Sequence, residues 1–204
     1  MTDSFYAPPM SSLNVEPAGS PAFFTVSPTK LMTMLWATSG LYAIYWFYKN
    51  WALYKQYSRR SIWPIPRTLL GLIFVPSLFC KLDRTLRERE KGAIPFWWGY
   101  AALLILNGLM PVLLSFCIGL VQSLRGQAST GLSAGQLFAL SFLTLLIHSL
   151  ILLRVQHFIN VLNDDSSGRT NAGLTKANWL WIAIGLLYWY AGYAMMAANT
   201  SVTL

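Results

Sequence analysis

The chain contains two histidines, His148 and His157, which are its first candidates for chemistry. His148 falls near the middle of a long uncharged run, where an ionisable side chain is a candidate functional residue. The alternative is a neutral imidazole that is hydrogen-bonded between helices. Nine residues separate the two histidines, so a helix places them on opposite faces and they cannot ligate one metal or one haem face. We therefore predict no metal centre and no cofactor.

The segment 163–168, Asn-Asp-Asp-Ser-Ser-Gly, carries oxygen ligands ahead of a glycine, as a calcium-binding loop does. Such a loop needs a bidentate glutamate at its twelfth position, and that position holds Leu174. Turn formation and helix capping account for these residues, so we interpret the segment as a structural loop.

The acidic residues Asp83, Glu88 and Glu90 alternate with arginines, which is typical of a solvated, salt-bridged helix end. The sequence has no phosphate-binding glycine loop, no G-x-S-x-G and no H-E-x-x-H. We therefore expect the protein not to be an enzyme. The weakest of three functional hypotheses is an enzyme that modifies lipid at the membrane interface through Asp83, His157 or Asp164.

The elements that carry these residues are predicted from the charge distribution. The chain has 204 residues, of which 55% are hydrophobic and 11% charged, whereas about 25% are charged in soluble domains. Four runs lack any Asp, Glu, Lys or Arg, namely 31–48, 92–124, 126–153 and 177–204. Because a spanning helix needs about 20 apolar residues, the sequence predicts an all-α integral membrane bundle of four transmembrane helices plus one re-entrant or interfacial segment.

The predicted spans are about 31–48, 97–124, 136–158 and 178–198, within a single domain over 27–199. The segment 66–91 is predicted not to cross, because its uncharged part, 68–80, is too short and contains Pro76. This arrangement places thirteen basic residues on one side and two, Lys30 and Arg125, on the other. The positive-inside rule then predicts a multi-pass inner-membrane protein with 49–91 and 160–176 cytoplasmic and both termini outside. Residues 1–26 are expected to form a mobile tail, and 200–204 a short one.

Polar side chains form a stripe on each predicted span. These stripes meet in the bundle centre, either as hydrogen bonds between helices or as a polar path or ligand cavity. In the fourth span, Asn178, Gly185, Gly192 and Asn199 recur every seven residues and predict a buried seam. The candidate intramembrane polar site consists of Thr38, Tyr42, Tyr45, Asn107, Ser141, Thr144 and His148.

The first span carries the pattern Tyr45-Trp46-Phe47-Tyr48-x-x-Trp51, after Thr38-x-Gly40-Leu41-Tyr42. It resembles a family of small, uncharacterised bacterial membrane proteins, a domain of unknown function with a Y-W-F-Y-x-x-W motif on the first helix. The later Val155-Gln156-x-x-Ile159-Asn160 and Asn178-Trp179 are similar to that family too. The resemblance implies a bacterial inner membrane and no particular activity.

The net charge is +8, and most of the basic residues flank apolar runs, which favours lipid headgroups over nucleic acid as the partner. The leading hypothesis is a non-enzymatic inner-membrane protein that binds anionic lipid and a membrane protein partner. The alternative is a small oligomeric transporter or channel, with a polar path near Asn107 and His148. Partners are thus membrane lipids, a partner protein or a second copy of the chain. The predicted lipid contacts are Lys49, Lys55, Arg59, Arg60, Arg67, Lys81, Arg84 and Arg87.

Overall fold

A computed structural model describes residues 21–125 and 134–201, and these residues form helices joined by short loops. The prediction of an all-α fold is confirmed for this part of the chain. The helices are α1 (Pro28–Ala37), α2 (Tyr42–Ser58), α3 (Pro64–Leu69), α4 (Gly71–Glu88), α5 (Trp97–Arg125), α6 (Ala134–Leu162) and α7 (Lys176–Ser201), with a short 3-10 turn at Arg169–Asn171.

Two helices are long and apolar enough to cross a membrane, over Trp97–Leu124 in α5 and Gly135–Leu162 in α6. Each helix has 29 residues, a length of about 43 Å at 1.5 Å per residue. Only 11% and 22% of the residues in their most apolar stretches are buried, and large side chains such as Phe116 and Leu150 are exposed. A core helix of a soluble protein would be covered by other elements, so this exposure is compatible with a bilayer around the helices. Four transmembrane helices are not confirmed.

The region predicted as the first span, 31–48, is two helices instead of one. The helix α1 ends at Ala37, and Ser39 and Gly40 then take positive φ angles of 51° and 87°. The amide of Gly40 donates to the carbonyl of Leu35 at 2.7 Å, which closes the end of α1. Thr38 Oγ1 then accepts the amide of Tyr42 at 3.0 Å, which starts α2.

The chain reverses direction at this break, so α1 and α2 form a helical hairpin. Phe23, which precedes α1, contacts Tyr54 near the end of α2 with ring centroids 5.4 Å apart. The tip of the hairpin lies at Leu145 of α6, because a Cβ added at Gly40 would be 3.5 Å from its Cδ1. Leu145 is near the middle of α6, so the hairpin reaches about half the length of that helix.

The segment predicted not to cross, 66–91, contains most of α3 and all of α4. The helix α3 packs against α2, and the chain turns at Leu70 into α4. The helix α4 runs antiparallel to α5: Leu72 near its start lies against Gly108, and Asp83 near its end accepts the amide of Ile94 at 2.7 Å. The buried core is formed where α1, α2, α4 and α6 meet, around Trp46, Trp51, Phe79 and Leu152.

Residues 21–26 do not belong to a mobile tail, because Ala22, Phe23 and Val26 are fully buried in this core. The remainder of the predicted tail, 1–20, lies outside the described residues, as do 202–204 of the predicted C-terminal tail. Residues 200 and 201 belong to α7.

Candidate functional site

Side-chain amides hold the extended segment 22–27 at one end of the bundle. We call the five residues that do so the amide clamp: Asn50, Gln156, Asn160, Asn163 and Asn171. Asn50 accepts the amide of Phe24 at 3.0 Å, and the other four donate to the carbonyls of four successive residues, 23 to 26, at 2.7 to 3.0 Å. These bonds satisfy backbone groups that no strand pairs with.

Two further contacts complete the clamp. The indole nitrogen of Trp46 donates to Gln156 Oε1 at 2.6 Å, which ties α2 to α6. Gly168, with a φ of 66°, lies so close to the backbone of Val26 that an added Cβ would be 2.5 Å from its carbonyl. The loop 163–171 therefore forms one wall of the groove that holds the segment.

The clamp positions Lys30, which is only 5% exposed. Its ammonium donates to Asn171 Oδ1 and to the carbonyl of Gly173, both at 2.7 Å. Among the described residues it has no carboxylate partner. Desolvation lowers the pKa of Lys30 from its usual value, while the two oxygen acceptors favour the ammonium form. The loop 160–176 and the start of α1 thus lie at the same end of the molecule.

A first cavity, of about 520 Å³, lies between α2, α3 and the start of α7, and Lys30 lines its inner wall. The predicted site residues Tyr42 and Tyr45 line it too. Most of its wall is apolar, with Ile44, Leu69 and Trp181 exposed at its mouth. The cavity has the size and composition of a site for a small molecule or a lipid.

A second cavity, of about 410 Å³, lies at the tip of the hairpin. Ser141, Thr144 and His148 line one side of it, and Ser39 and Gly40 of the interrupted helix line another. The Nε2 atom of His148 is buried and makes no hydrogen bond within the described residues. The imidazole of His148 and the non-helical backbone at Ser39 and Gly40 therefore line the same cavity.

The seven predicted polar-site residues do not form one site. Three of them line the second cavity and two line the first. Thr38 is buried and uses its hydroxyl to cap α1 and α2. Asn107 donates to the carbonyl of Thr144 at 3.0 Å and so joins α5 to α6, as the hydrogen-bonding interpretation predicts.

The basic residues gather at the end of the molecule that holds the amide clamp. Of the 15 lysines and arginines, eleven precede α5 and three lie in the last turns of α6, the following loop or the start of α7. Lys30 is among the fourteen, because the hairpin returns the chain to this end. The one remaining cation, Arg125, lies at the opposite end of α5.

Several of the predicted lipid contacts lie over aromatic rings. The guanidinium of Arg67 is 4.7 Å from the ring centre of Trp51, and the ammonium of Lys81 is 5.5 Å from that of Tyr54. Lys49 lies over Tyr45 at 5.9 Å. Arg59 and Arg60, with Lys55, are exposed around the end of α2, and Arg84 and Arg87 pair with Glu88 and Asp83.

The residues proposed for an interfacial enzyme have separate partners. Asp83 accepts from the amide of Ile94 and from Arg87, and Asp164 pairs with Lys91. His157 is exposed, with its ring 5.7 Å from that of Phe158.

Asp165 accepts hydrogen bonds from residues of its own loop. Hydrogen bonds from the amide and hydroxyl of Thr170, and then from Arg169 and Ser167, lower the pKa of the Asp165 carboxyl. These contacts support the interpretation of 163–168 as a structural loop.

Sequence reasoning missed Lys30 as a site residue and counted it as a cation of the opposite side. The available signal was the Ser39-Gly40 pair within the first uncharged run, which allows a chain reversal. Asn178, predicted as part of a packing seam, also lines the first cavity.

No protein-family model matches this chain, and no characterised protein or solved structure was found to be similar to it. The resemblance of the first-helix motif to a family of bacterial membrane proteins therefore stays a prediction.

Proposed function

We propose that this chain is a non-enzymatic inner-membrane protein that binds anionic lipid, and through the same surface a membrane protein partner. The observation that carries the proposal is the gathering of fourteen cations at one end of the bundle. The whole sequence has only seven acidic residues, so this end keeps a large positive surplus. Each cation close to an anionic membrane surface contributes about 1 kcal/mol of attraction.

The aromatic rings beneath the cations support this proposal. Tyrosine favours the boundary between headgroups and acyl chains, and Tyr45, which is exposed, lies under Lys49. Arg67 and Lys81 lie over Trp51 and Tyr54, which are buried. A cation over a ring is held at a defined depth, with its donors directed to the headgroups.

In the bilayer we propose that α5, α6 and α7 cross, while the α1–α2 hairpin enters from the basic end and returns to it. The ten residues of α1 extend only about 15 Å, half of the apolar thickness of a bilayer. The start of α1 lies beside the amide clamp, and α2 contacts the clamped segment at Asn50 and again at Tyr54 in its last turns. This arrangement replaces the expected four spans, and the positive-inside rule then directs the N-terminal segment, with the basic end, to the cytoplasm.

Lipid-dependent stability tests the proposal. The full chain is reconstituted in nanodiscs of phosphatidylglycerol or of phosphatidylcholine, and its melting temperature is measured in each. We expect a higher melting temperature in phosphatidylglycerol. A triple variant, Lys55→Gln, Arg60→Gln and Arg84→Gln, should lose about a fifth of that difference, since it removes three of the fourteen cations and with them about 3 kcal/mol of attraction to the anionic surface.

The matched control keeps the charges and changes only the side chains: Lys55→Arg, Arg60→Lys and Arg84→Lys. It should retain the full difference between the two lipids. Equal melting temperatures of the unaltered protein in both lipids would contradict lipid binding, and an equal loss in both triple variants would contradict the role of charge.

A further inference from the structure

The first cavity differs from the rest of the basic end because its cation is buried. The side chains that line the cavity include no aspartate or glutamate among the described residues. Lys30 therefore faces it without a neutralising charge. A buried charge that lacks a counter-charge is costly, so an anion in the cavity would be stabilised there.

Lys30 also has an unused donor. An ammonium carries three N–H donors, and two of these are accounted for by Asn171 and Gly173. The third is available to a group in the cavity. Lys30 thus offers both a charge and a hydrogen bond.

Asn178 supplies a second donor on the same cavity. Its Oδ1 accepts the amide and the hydroxyl of Thr175, both at 2.9 Å, which orients the side chain. Its Nδ2 makes no hydrogen bond in the part of the chain that the structure describes. The residue is 9% exposed and lines the cavity, so its Nδ2 donor is available to the same occupant.

The walls of the cavity indicate what else the occupant contains. Its exposed surface is mostly apolar, and Ile44, Leu69 and Trp181 are 52%, 75% and 48% exposed around its mouth. A small water-soluble anion would leave these walls without a partner. An acyl chain would cover them and continue into the surrounding bilayer.

We propose that the first cavity binds one anionic phospholipid, with its phosphate at Lys30 and Asn178 and an acyl chain along the apolar wall between α2, α3 and α7. This inference rests on the proposed function and deepens it, because it names the lipid class and a defined site. The exposed cations then attract anionic lipid in general, whereas this cavity retains a single molecule.

Native mass spectrometry of the full chain tests this site. The protein is released from nanodiscs of phosphatidylglycerol or of phosphatidylcholine, and the fraction that keeps one lipid is counted. We expect one retained phosphatidylglycerol, and at least tenfold less retention of phosphatidylcholine. Lys30→Met, which removes the charge at similar length, should reduce phosphatidylglycerol retention at least tenfold. Gln56→Met, at an exposed position of α2 outside the cavity, should leave it unchanged.

A second variant tests the site independently, in case Lys30→Met fails to fold. Ala177→Phe adds a ring at the cavity wall and keeps Lys30 with both of its acceptors. It should also release the lipid. Full retention in Ala177→Phe, or equal retention of both lipids by the unaltered protein, would overturn the site. Retention of a fatty acid in place of phosphatidylglycerol would overturn the phospholipid assignment.

The two proposals fail in different ways. Absence of a retained lipid, together with a higher melting temperature in phosphatidylglycerol, would remove the cavity site and leave surface binding intact. Absence of both effects would remove both proposals. Loss of the retained lipid in Lys30→Met, with the melting difference preserved, would support both.

Discussion

Gln156 connects three parts of the chain through one side-chain amide. Its Nε2 donates to the carbonyl of Phe24 at 3.0 Å and to Asn160 Oδ1 at 2.7 Å, while its Oε1 accepts the indole of Trp46. All of this lies in the core, where an unpaired polar group is costly. The apolar helix α6 keeps this residue fully buried because its partners are an extended backbone segment and another helix.

Replacing Gln156 by leucine should therefore destabilise the protein strongly. Leucine has a volume similar to that of glutamine, but it leaves the Trp46 indole and the Phe24 carbonyl without hydrogen-bond partners. Each unsatisfied group costs about 1–3 kcal/mol of folding free energy. We expect a loss of at least about 2 kcal/mol, measured by melting in one detergent. Gln56→Leu, at an exposed position of α2, is the control and should change stability by less than about 0.5 kcal/mol. An unchanged melting temperature in Gln156→Leu would contradict the clamp.

Among the contacts between elements, α7 packs closely against the tip of the α1–α2 hairpin. Gly185 is buried against the end of α1, so closely that an added Cβ would overlap the carbonyl oxygen of Ala37. Nearby, the indole of Trp189 donates to the carbonyl of Trp36 at 2.9 Å. The interrupted helix thus has carbonyls near its break covered by α7, which the proposed position of the hairpin in a bilayer would require.

The predicted seam of α7 is present only in part. Asn178 and Gly185 are buried, whereas Gly192 is exposed, and the side chain of Asn199 lies outside those the structure describes. The hairpin is only half as long as α6, so beyond its tip α7 has no α1 to pack against.

The two glycines give a matched test of this packing. Gly185→Ala should lower stability by about 1–3 kcal/mol, because the methyl group overpacks the contact with Ala37. Gly192→Ala meets nothing within 4 Å and should be neutral or stabilising by up to about 1 kcal/mol, since alanine is the better helix former. Melting temperatures of both variants in one detergent make the comparison. Equal effects would contradict close packing of α7 on the hairpin.

For the molecule as a whole, the hairpin determines which end each segment occupies. Apolar side chains cover the outer faces of α5, α6 and α7, while the cations gather at one end. With the hairpin, Lys30 joins the other cations, so the asymmetry becomes fourteen to one instead of the thirteen to two expected from a single first span. A stronger asymmetry favours a single orientation in the membrane.

Cysteine labelling from either side of the membrane tests this arrangement. In a chain with Cys80 and Cys117 replaced by alanine, single cysteines are introduced as Thr29→Cys, Ser61→Cys and Gln127→Cys. We expect positions 29 and 61 to react from the same side and position 127 from the other, because α1 and α2 return to the basic end and α5 crosses. Labelling of positions 29 and 61 from opposite sides would mean that residues 31–48 cross after all.

The sequence by itself determined the helical class and the two long apolar helices. Hydrophobic length is a local property, so the spans predicted at 97–124 and 136–158 correspond directly to α5 and most of α6. The clustering of most cations ahead of α5 was equally visible. So was the structural role of 163–168, because turn residues act on their own neighbours.

Only the tertiary structure decided the first uncharged run and the cavities. Hydropathy does not distinguish a crossing helix from a hairpin of the same composition, and here the reversal at Ser39 and Gly40 is covered by Gly185, 145 residues later in the chain. The segment 22–27 is likewise held by amides more than 100 residues away, apart from Asn50. Lys30 acquires its buried position from that clamp, because contacts between distant residues form only when the helices pack together.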